Sequence, residues 1–129
     1  MKFKKYLEEL RKLNLPENQY AVFGSGPMAV RGIRDSGDLD IVVKSELWKN
    51  LSSQYPPEGD KIVIGNIEIY RTWNAPFYDN VAPLIERAEM IEGIKFVRLE
   101  DVVKWKKEKG REKDKIDIEL INRFFVKQF

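Results

Sequence analysis

Two aspartates one residue apart are the side chains of this sequence best suited to chemistry. Asp38 and Asp40 begin the apolar stretch DLDIVV. Because side chains alternate between the two faces of a strand, both carboxylates are expected on one face, with Leu39 and Ile41 on the other. Two carboxylates about 4 Å apart repel by roughly 4 kcal/mol at an effective dielectric constant of about 20. A bound cation or full hydration offsets such repulsion, so the pair indicates either a metal site or a solvated loop end.

A third carboxylate, Glu68, shows the same alternation in the stretch NIEIY, which predicts another strand. An unpaired carboxylate buried in a strand is costly, so Glu68 is expected either to face solvent or to serve a site. If the two strands are neighbours, Glu68 lies on the same face as Asp38 and Asp40. Three carboxylates together would form an oxygen ligand set for one or two Mg²⁺ or Mn²⁺ ions.

A small-residue turn, Gly24-Ser25-Gly26-Pro27, separates the apolar run YAVF from a predicted helix of about two turns. A turn of this kind lets backbone N–H groups approach phosphate oxygens at the positive end of a helix. The Ser25 hydroxyl would add a hydrogen bond there, or it could simply cap the helix. The turn is not a P-loop, because no lysine follows the glycines.

Composition restricts the chemistry further. The 129 residues include neither cysteine nor histidine, which excludes thiolate and imidazole ligands and favours metals held by oxygen. The net charge is +2, so no overall field demands a nucleic acid partner. The N-terminus is charged and amphipathic, and no apolar run approaches the roughly 20 residues that span a bilayer. We therefore expect a cytoplasmic protein without a membrane partner.

Hydrophobic periodicity and turn residues predict an α/β (α+β) fold with a mixed sheet flanked by helices and a helical C-terminus, in a single domain over residues 1–129. Ser45 is predicted as an N-cap, Gly65-Asn66 as a hairpin turn and Gly110 as a helix stop. The predicted helices cover 2–13, a short segment opened by the turn at 24–27, 46–54, 79–91, 100–110 and 112–128, and the predicted strands cover 20–23, 38–43, 61–65, 66–73 and 94–99.

Gly24-Ser25, followed after twelve intervening residues by Asp38-Leu39-Asp40-Ile41, resembles the signature of the DNA polymerase beta-like nucleotidyltransferase superfamily. That signature reads apolar, Gly, Gly or Ser, a spacer, Asp, apolar, Asp or Glu, apolar. Glu68 matches the third carboxylate of the superfamily in type and placement. The sequence is most similar to small stand-alone minimal nucleotidyltransferases, including those linked to toxin–antitoxin systems. The signature covers about twenty residues.

The resemblance implies transfer of a nucleoside monophosphate from a nucleoside triphosphate, with ATP expected, to a hydroxyl of an acceptor. Asp38 and Asp40 would hold two Mg²⁺ or Mn²⁺ ions, and Glu68 would complete the site facing the acceptor and be the nearest base. Gly24 and Ser25 would hold the β- and γ-phosphates. The acceptor stays open among a protein, a tRNA and a small molecule, and a toxin–antitoxin partner protein is possible. The alternative is a catalytically inactive nucleotide-binding or antitoxin-like interaction module.

The C-terminal region resembles the end of several such families, in which a helical lysine precedes an R-x-K-D-x-x-D run. Lys106 fits that lysine and could reach a triphosphate as a point charge. Asp114 and Asp117 lie three residues apart on one helix face and could orient Lys106 or Arg111. The alternative is an ordinary solvated charged face, or a basic surface that binds RNA.

Two arginines and three aromatic residues complete the candidate nucleotide-binding residues. Arg31 is predicted to bind a nucleotide phosphate, although both Arg31 and Arg34 could equally pair with Asp35 at the surface. Aromatic side chains that could stack on a base, or belong to the core, are Tyr70, Trp73 and Tyr78.

Overall fold

A central six-stranded mixed sheet flanked by helices forms the architecture of this computed structural model, which describes residues 2–128. The strands are β1 (Tyr20–Phe23), β2 (Leu39–Val43), β3 (Lys61–Ile64), β4 (Ile67–Tyr70), β5 (Glu89–Ile91) and β6 (Ile94–Phe96). The helices are α1 (Lys2–Lys12), α2 (Gly26–Val30), α3 (Ser45–Gln54), α4 (Ala82–Glu86), α5 (Leu99–Lys109) and α6 (Glu112–Lys127), with a 3₁₀ turn at Glu17–Gln19. The predicted α/β (α+β) fold class with a helical C-terminus is confirmed.

The strand order is β3-β4-β2-β1-β6-β5, so β2 lies near the middle of the sheet. It pairs antiparallel with β1 and parallel with β4. In this register Asp40 of β2 lies opposite Phe23 at the end of β1 and opposite Glu68 of β4. The two strands whose alternation was predicted separately are therefore direct neighbours.

Apolar side chains of both sheet faces are buried, and each face packs on its own helices. One face carries Leu39, Ile41 and Ile69, which pack with residues of α1 and α3. The other face carries Phe23 and Val42, which pack with residues of α4, α5 and α6. The alternation predicted for β2 is confirmed, because Leu39 and Ile41 are fully buried while Asp40 lies on the opposite face with only intermediate exposure.

The helix predicted over residues 79–91 is wrong in its second half. Only Ala82–Glu86 is helical, and Pro83 lies in the first turn of this helix. Residues 89–91 instead form β5, which pairs antiparallel with β6. Glu92 and Gly93 turn the chain between them with φ angles of 52° and 80°. Such two-residue turns join antiparallel strands, and the Glu-Gly pair was the sequence signal for this hairpin.

Two further helices differ from the prediction at their ends, and a third ends where it was predicted to end. Ser45 is the first residue of α3 rather than its N-cap, because Lys44 occupies that position and makes no side-chain cap. Helix α2 has five residues instead of about two turns. Gly110 ends α5 in the left-handed conformation, as predicted. None of the helices within residues 2–128 combines the length and apolar character needed to cross a bilayer.

Candidate active site

The in-register pair of Asp40 and Glu68 forms the centre of the candidate site. Both residues lie on the sheet face that carries Phe23 and Val42, because residues 40 and 42 of β2 and 68 and 70 of β4 share that face. Neighbouring parallel strands lie about 4.8 Å apart. The structure thus brings two of the three predicted carboxylates side by side.

The Asp40 carboxyl group lies in an environment that disfavours its charged form. Burial, together with the negative charges of Glu68 and Asp38, raises its pKa to about 7, while Lys61 opposes them. Its Oδ1 atom is buried without a hydrogen-bond partner among the described residues. A buried acceptor of this kind is costly unless it is matched, so Asp40 gains most from a proton or a cation.

Glu68 is engaged by two neighbours. Its Oε1 atom forms an ion pair with Lys61, which lies opposite Tyr70 and diagonal to Glu68 in the β3–β4 pair, and accepts a hydrogen bond of 3.5 Å from the Tyr70 hydroxyl. The same contact raises the pKa of Lys61. Lys61 was not singled out from the sequence, although its place in a strand that pairs with NIEIY was the available signal.

Asp38 lies just before β2 and is exposed, so it is not a strand residue as predicted, but its charge is close enough to raise the pKa of Asp40. Within residues 2–128 no three carboxylates are already gathered closely enough to hold a metal ion. The donor set nevertheless suits a hard divalent cation, because all three residues offer oxygen and the buried Oδ1 of Asp40 has no partner in the described chain.

The Gly24-Ser25 bend lies directly against Asp40. Gly24 adopts a φ of +68°, and a Cβ built on it would lie 2.8 Å from Asp40 Oδ2. At this distance a side chain at residue 24 would force the Asp40 carboxylate to move. The two halves of the sequence motif, separated by twelve residues, therefore meet at one carboxylate.

The Ser25 hydroxyl does not cap α2, since it makes no side-chain cap hydrogen bond. Its Oγ lies 2.6 Å from Ser36 Oγ, and the buried Ser36 hydroxyl donates to the Asp38 carbonyl at 2.9 Å. Ser25 thus ties the bend to the loop that carries Asp38. The N–H groups of Met28 and Ala29 already donate to the Ser25 carbonyl, which leaves the bend itself as the part available to a ligand.

Neither arginine pairs with Asp35 through its carboxylate. Arg31 donates from Nη1 to the Pro27 carbonyl at 2.7 Å, and its Nη2 lies 3.2 Å from Glu89 Oε2. Only 9% of its side chain is exposed, so the structure engages Arg31 with β5 rather than presenting it beside Asp40. Its phosphate-binding role stays a prediction that this placement does not favour.

Lys106 is buried within a cluster of charges instead of facing solvent. Its side chain is 4% exposed, and its Nζ lies 2.9 Å from Asp117 Oδ2 and 3.6 Å from Asp114 Oδ1. Asp117 also accepts two hydrogen bonds from Arg34, and Asp114 accepts two from the Arg111 side chain. The predicted orienting role of the two aspartates is thus present as geometry, whereas direct access of Lys106 to a ligand is not shown.

A cavity of about 480 Å³ opens beside Asp40, within the size range of small-molecule sites. Aromatic and polar residues that were not placed in the predicted site line much of it. The lining residues are Asp40, Asp60, Lys61, Tyr70, Thr72, Trp73, Asn74, Trp105, Lys109 and Arg111.

Aromatic rings pack along the inner wall of this cavity. Trp73 stacks on Phe23 with ring centres 4.6 Å apart and meets Tyr70 and Trp105 edge to face, at 5.3 Å each. Trp73, predicted as either a base-stacking or a core residue, is therefore both packed in the core and part of the cavity wall.

Comparison of the chain with protein-family models, curated proteins and solved structures finds no match. The resemblance to nucleotidyltransferases therefore depends on the motif residues of the sequence.

Proposed function

We propose that this chain is a metal-dependent nucleotidyltransferase that moves a nucleoside monophosphate from a nucleoside triphosphate to an acceptor hydroxyl and releases pyrophosphate. The observation that carries the proposal is the pairing of Asp40 with Glu68 on one sheet face, with the Gly24 bend against the Asp40 carboxylate. This arrangement supports the proposal because the nucleotidyltransferase-like motif contains these residues. They are far apart in the sequence, and the fold brings them together.

In the proposed reaction, Asp38, Asp40 and Glu68 would hold Mg²⁺ or Mn²⁺ through their carboxylate oxygens. A divalent cation bound there would polarise the transferred phosphoryl group and lower the pKa of the acceptor hydroxyl. Glu68 would accept the hydroxyl proton, because its carboxylate lies in the strand next to Asp40 and on the same sheet face. The Gly24-Ser25 bend would lie along the phosphates of the nucleotide, for which ATP is expected.

The same residues also support a second candidate, a nucleotide-binding or protein-interaction module without turnover. Two observations favour it. Lys61 neutralises Glu68, and the part of the chain that the structure describes contains no gathered three-carboxylate metal site. Such a module would keep the cavity beside Asp40 and bind nucleotide there without transferring it, as an antitoxin-like partner could.

The decisive experiment incubates the protein with α-labelled nucleoside triphosphates and Mg²⁺ or Mn²⁺ in lysate of the source organism. Wild type is compared with Asp38→Ala/Asp40→Ala and with Asp79→Ala, an exposed carboxylate outside the site. We expect a labelled protein, tRNA or small molecule with wild type and Asp79→Ala only. The chemical nature of the labelled product identifies the acceptor.

Two results would decide against the transferase. Labelling that persists in the double variant would show that the Asp38 and Asp40 carboxylates are not needed for the transfer. Mg²⁺-dependent nucleotide binding that yields no labelled product under any condition would instead favour the second candidate.

A further inference from the structure

Two indole N–H groups beside the cavity have no acceptor in the described part of the chain. Trp73 and Trp105 both line the cavity, and the Nε1 atom of each is buried without a hydrogen-bond partner. Trp105 is only 8% exposed. An indole N–H can donate but never accept, and a buried donor without a partner is unfavourable. Neither Nε1 atom is exposed to the cavity as the rings stand, so a small rotation of either ring would present its N–H to a ligand atom that accepts hydrogen bonds.

Three cationic side chains line the same cavity, and one of them, Lys61, is paired with Glu68. Lys109 follows Trp105 by four residues on α5, so both project from one face of that helix. It is exposed and forms no ion pair within residues 2–128. Lys109 thus adds to the two indole donors a positive charge that has no ion-pair partner in the described part of the chain.

Arg111 is held in place by the buried Asp114 carboxylate. Its Nε and Nη2 atoms donate to Asp114 at 2.6 and 3.1 Å, and 44% of its side chain stays exposed. The remaining N–H groups of a guanidinium fixed on one side can still donate to an oxygen ligand. Arg111 is thus oriented before any ligand arrives, which reduces the entropy lost on binding.

We propose that Trp73, Trp105, Lys109 and Arg111 form a subsite for the oxygens of a phosphate group. A phosphate offers several strong acceptors and negative charge, which matches two neutral donors and two cations better than a neutral ligand would. This inference rests on the proposed function only in naming the source of the phosphate, which is either the nucleotide or a phosphorylated acceptor. Asp40 and Asp60 line the same cavity, so their charges oppose a phosphate that arrives without a cation.

The test measures binding of tripolyphosphate by calorimetry in the absence of divalent ions, so that no turnover is required. The variants are Lys109→Gln and Trp105→Phe, the second of which keeps an aromatic ring and removes the N–H. Lys107→Gln, an exposed lysine of the same helix, and Trp48→Phe, in the core of the other sheet face, are the matched controls. We expect each test variant to weaken binding about tenfold and each control to change it less than about twofold.

Asp40→Asn separates this subsite from the proposed metal site. Because it removes a nearby negative charge, it should leave metal-free tripolyphosphate binding unchanged or tighter. Equal losses in Lys109→Gln and Lys107→Gln would overturn the subsite, and so would adenosine binding as tightly as tripolyphosphate to wild type. Lys109→Gln changes an exposed residue, so its result stands even if Trp105→Phe does not fold.

The source of the phosphate follows from ATP binding in the presence of Mg²⁺. If Lys109→Gln weakens ATP and tripolyphosphate alike, the subsite holds the phosphates of the nucleotide. If it weakens only tripolyphosphate, the subsite holds a phosphate of the acceptor. Lys109-dependent tripolyphosphate binding without any nucleotidyl transfer would overturn the proposed function and support the subsite.

Discussion

Gly24 lies so close to Asp40 that the carboxylate occupies the space a side chain at residue 24 would need. An ideal Cβ on Gly24 would lie 2.8 Å from Asp40 Oδ2. The backbone at Gly24 also has a φ of +68°, a conformation that side chains disfavour. Glycine is therefore favoured here for two independent reasons, one from the backbone and one from the site.

These two reasons can be separated by substitution. We expect Gly24→Ala to lower the free energy of unfolding by about 2 kcal/mol or more, because about 1 kcal/mol of backbone strain adds to displacement of the Asp40 carboxylate. Gly32→Ala is the matched control, since Gly32 has a φ of +72° and no atom lies within 4 Å of the position that its Cβ would take. Gly32→Ala should lose only the part of the free energy of unfolding that comes from backbone strain. Urea unfolding measures both, and equal losses would contradict the close contact.

The buried carboxylate of Asp40 should cost stability in the metal-free protein. Asp40→Asn removes a charge that lies beside Glu68 and near Asp38, while the side chain keeps nearly the same size. We expect this variant to be more stable than wild type by about 1 kcal/mol near pH 8, where the raised pKa of about 7 leaves Asp40 mostly charged. Thermal unfolding with a chelator present measures the difference.

Asp60→Asn provides the control for that experiment. Asp60 lines the same cavity but is exposed, so its replacement should change the free energy of unfolding by less than about 0.5 kcal/mol. Asp40→Asn should also abolish labelled product, while Asp60→Asn should retain it. A destabilised Asp40→Asn protein would show that the carboxylate is already well matched in the fold.

The side-chain alternation of single strands was predictable, whereas the partners of their charged residues were not. The alternation in DLDIVV and NIEIY correctly assigned Asp40 and Glu68 to the face opposite Leu39 and Ile69. That the two strands are neighbours depends on the crossover through α3 and β3, which no local pattern encodes. The ion pair of Lys61 with Glu68 follows from the same pairing and was missed for this reason.

Burial of charge was the hardest property to predict. A Lys- and Glu-rich helix usually indicates a solvated face, yet Lys106 is 4% exposed and Asp114 is fully buried. Both can be buried because α5, α6 and the loop carrying Arg34 converge. The positive charges of Lys106 and Arg34 then neutralise the carboxylates of Asp114 and Asp117. Such compensation is a tertiary property, so the sequence indicated the aspartates as orienting groups without indicating their burial.

The buried ion cluster should respond strongly to loss of one partner. Asp117→Leu leaves Lys106 with only the longer contact to Asp114 and removes the two hydrogen bonds that Arg34 donates to Asp117. We expect the free energy of unfolding to fall by about 3 kcal/mol, because an unmatched buried cation is costly. Chemical denaturation measures the loss.

Two further variants test that explanation. Glu119→Gln removes an exposed ion pair with Arg123 on α6, and should cost less than about 1 kcal/mol. The double variant Lys106→Met/Asp117→Leu should recover part of the loss, because it removes the buried cation as well. If the double variant were less stable than Asp117→Leu alone, the loss would reflect packing rather than charge.

The same cluster makes the fold sensitive to acid. Hydrogen bonds from the Arg111 side chain lower the pKa of Asp114. Burial pushes the pKa of Asp117 upwards, but hydrogen bonds from Arg34 and Lys106 outweigh it and lower that pKa too. A carboxylate with a lowered pKa in the folded state adds stability above its ordinary pKa, and this stability is lost as the pH falls through the folded value.

We therefore expect the free energy of unfolding of wild type to decrease as the pH falls below about 4. Asp114→Asn should be less stable than wild type near pH 6, and the two curves should converge towards pH 2 because the wild-type carboxyl becomes neutral. Gly32→Ala changes no titrating group, so its deficit should stay constant over this range. Parallel curves for wild type and Asp114→Asn would mean that the charge of Asp114 does not stabilise the junction of α5 and α6, and the orientation of Arg111 towards the cavity would need another cause.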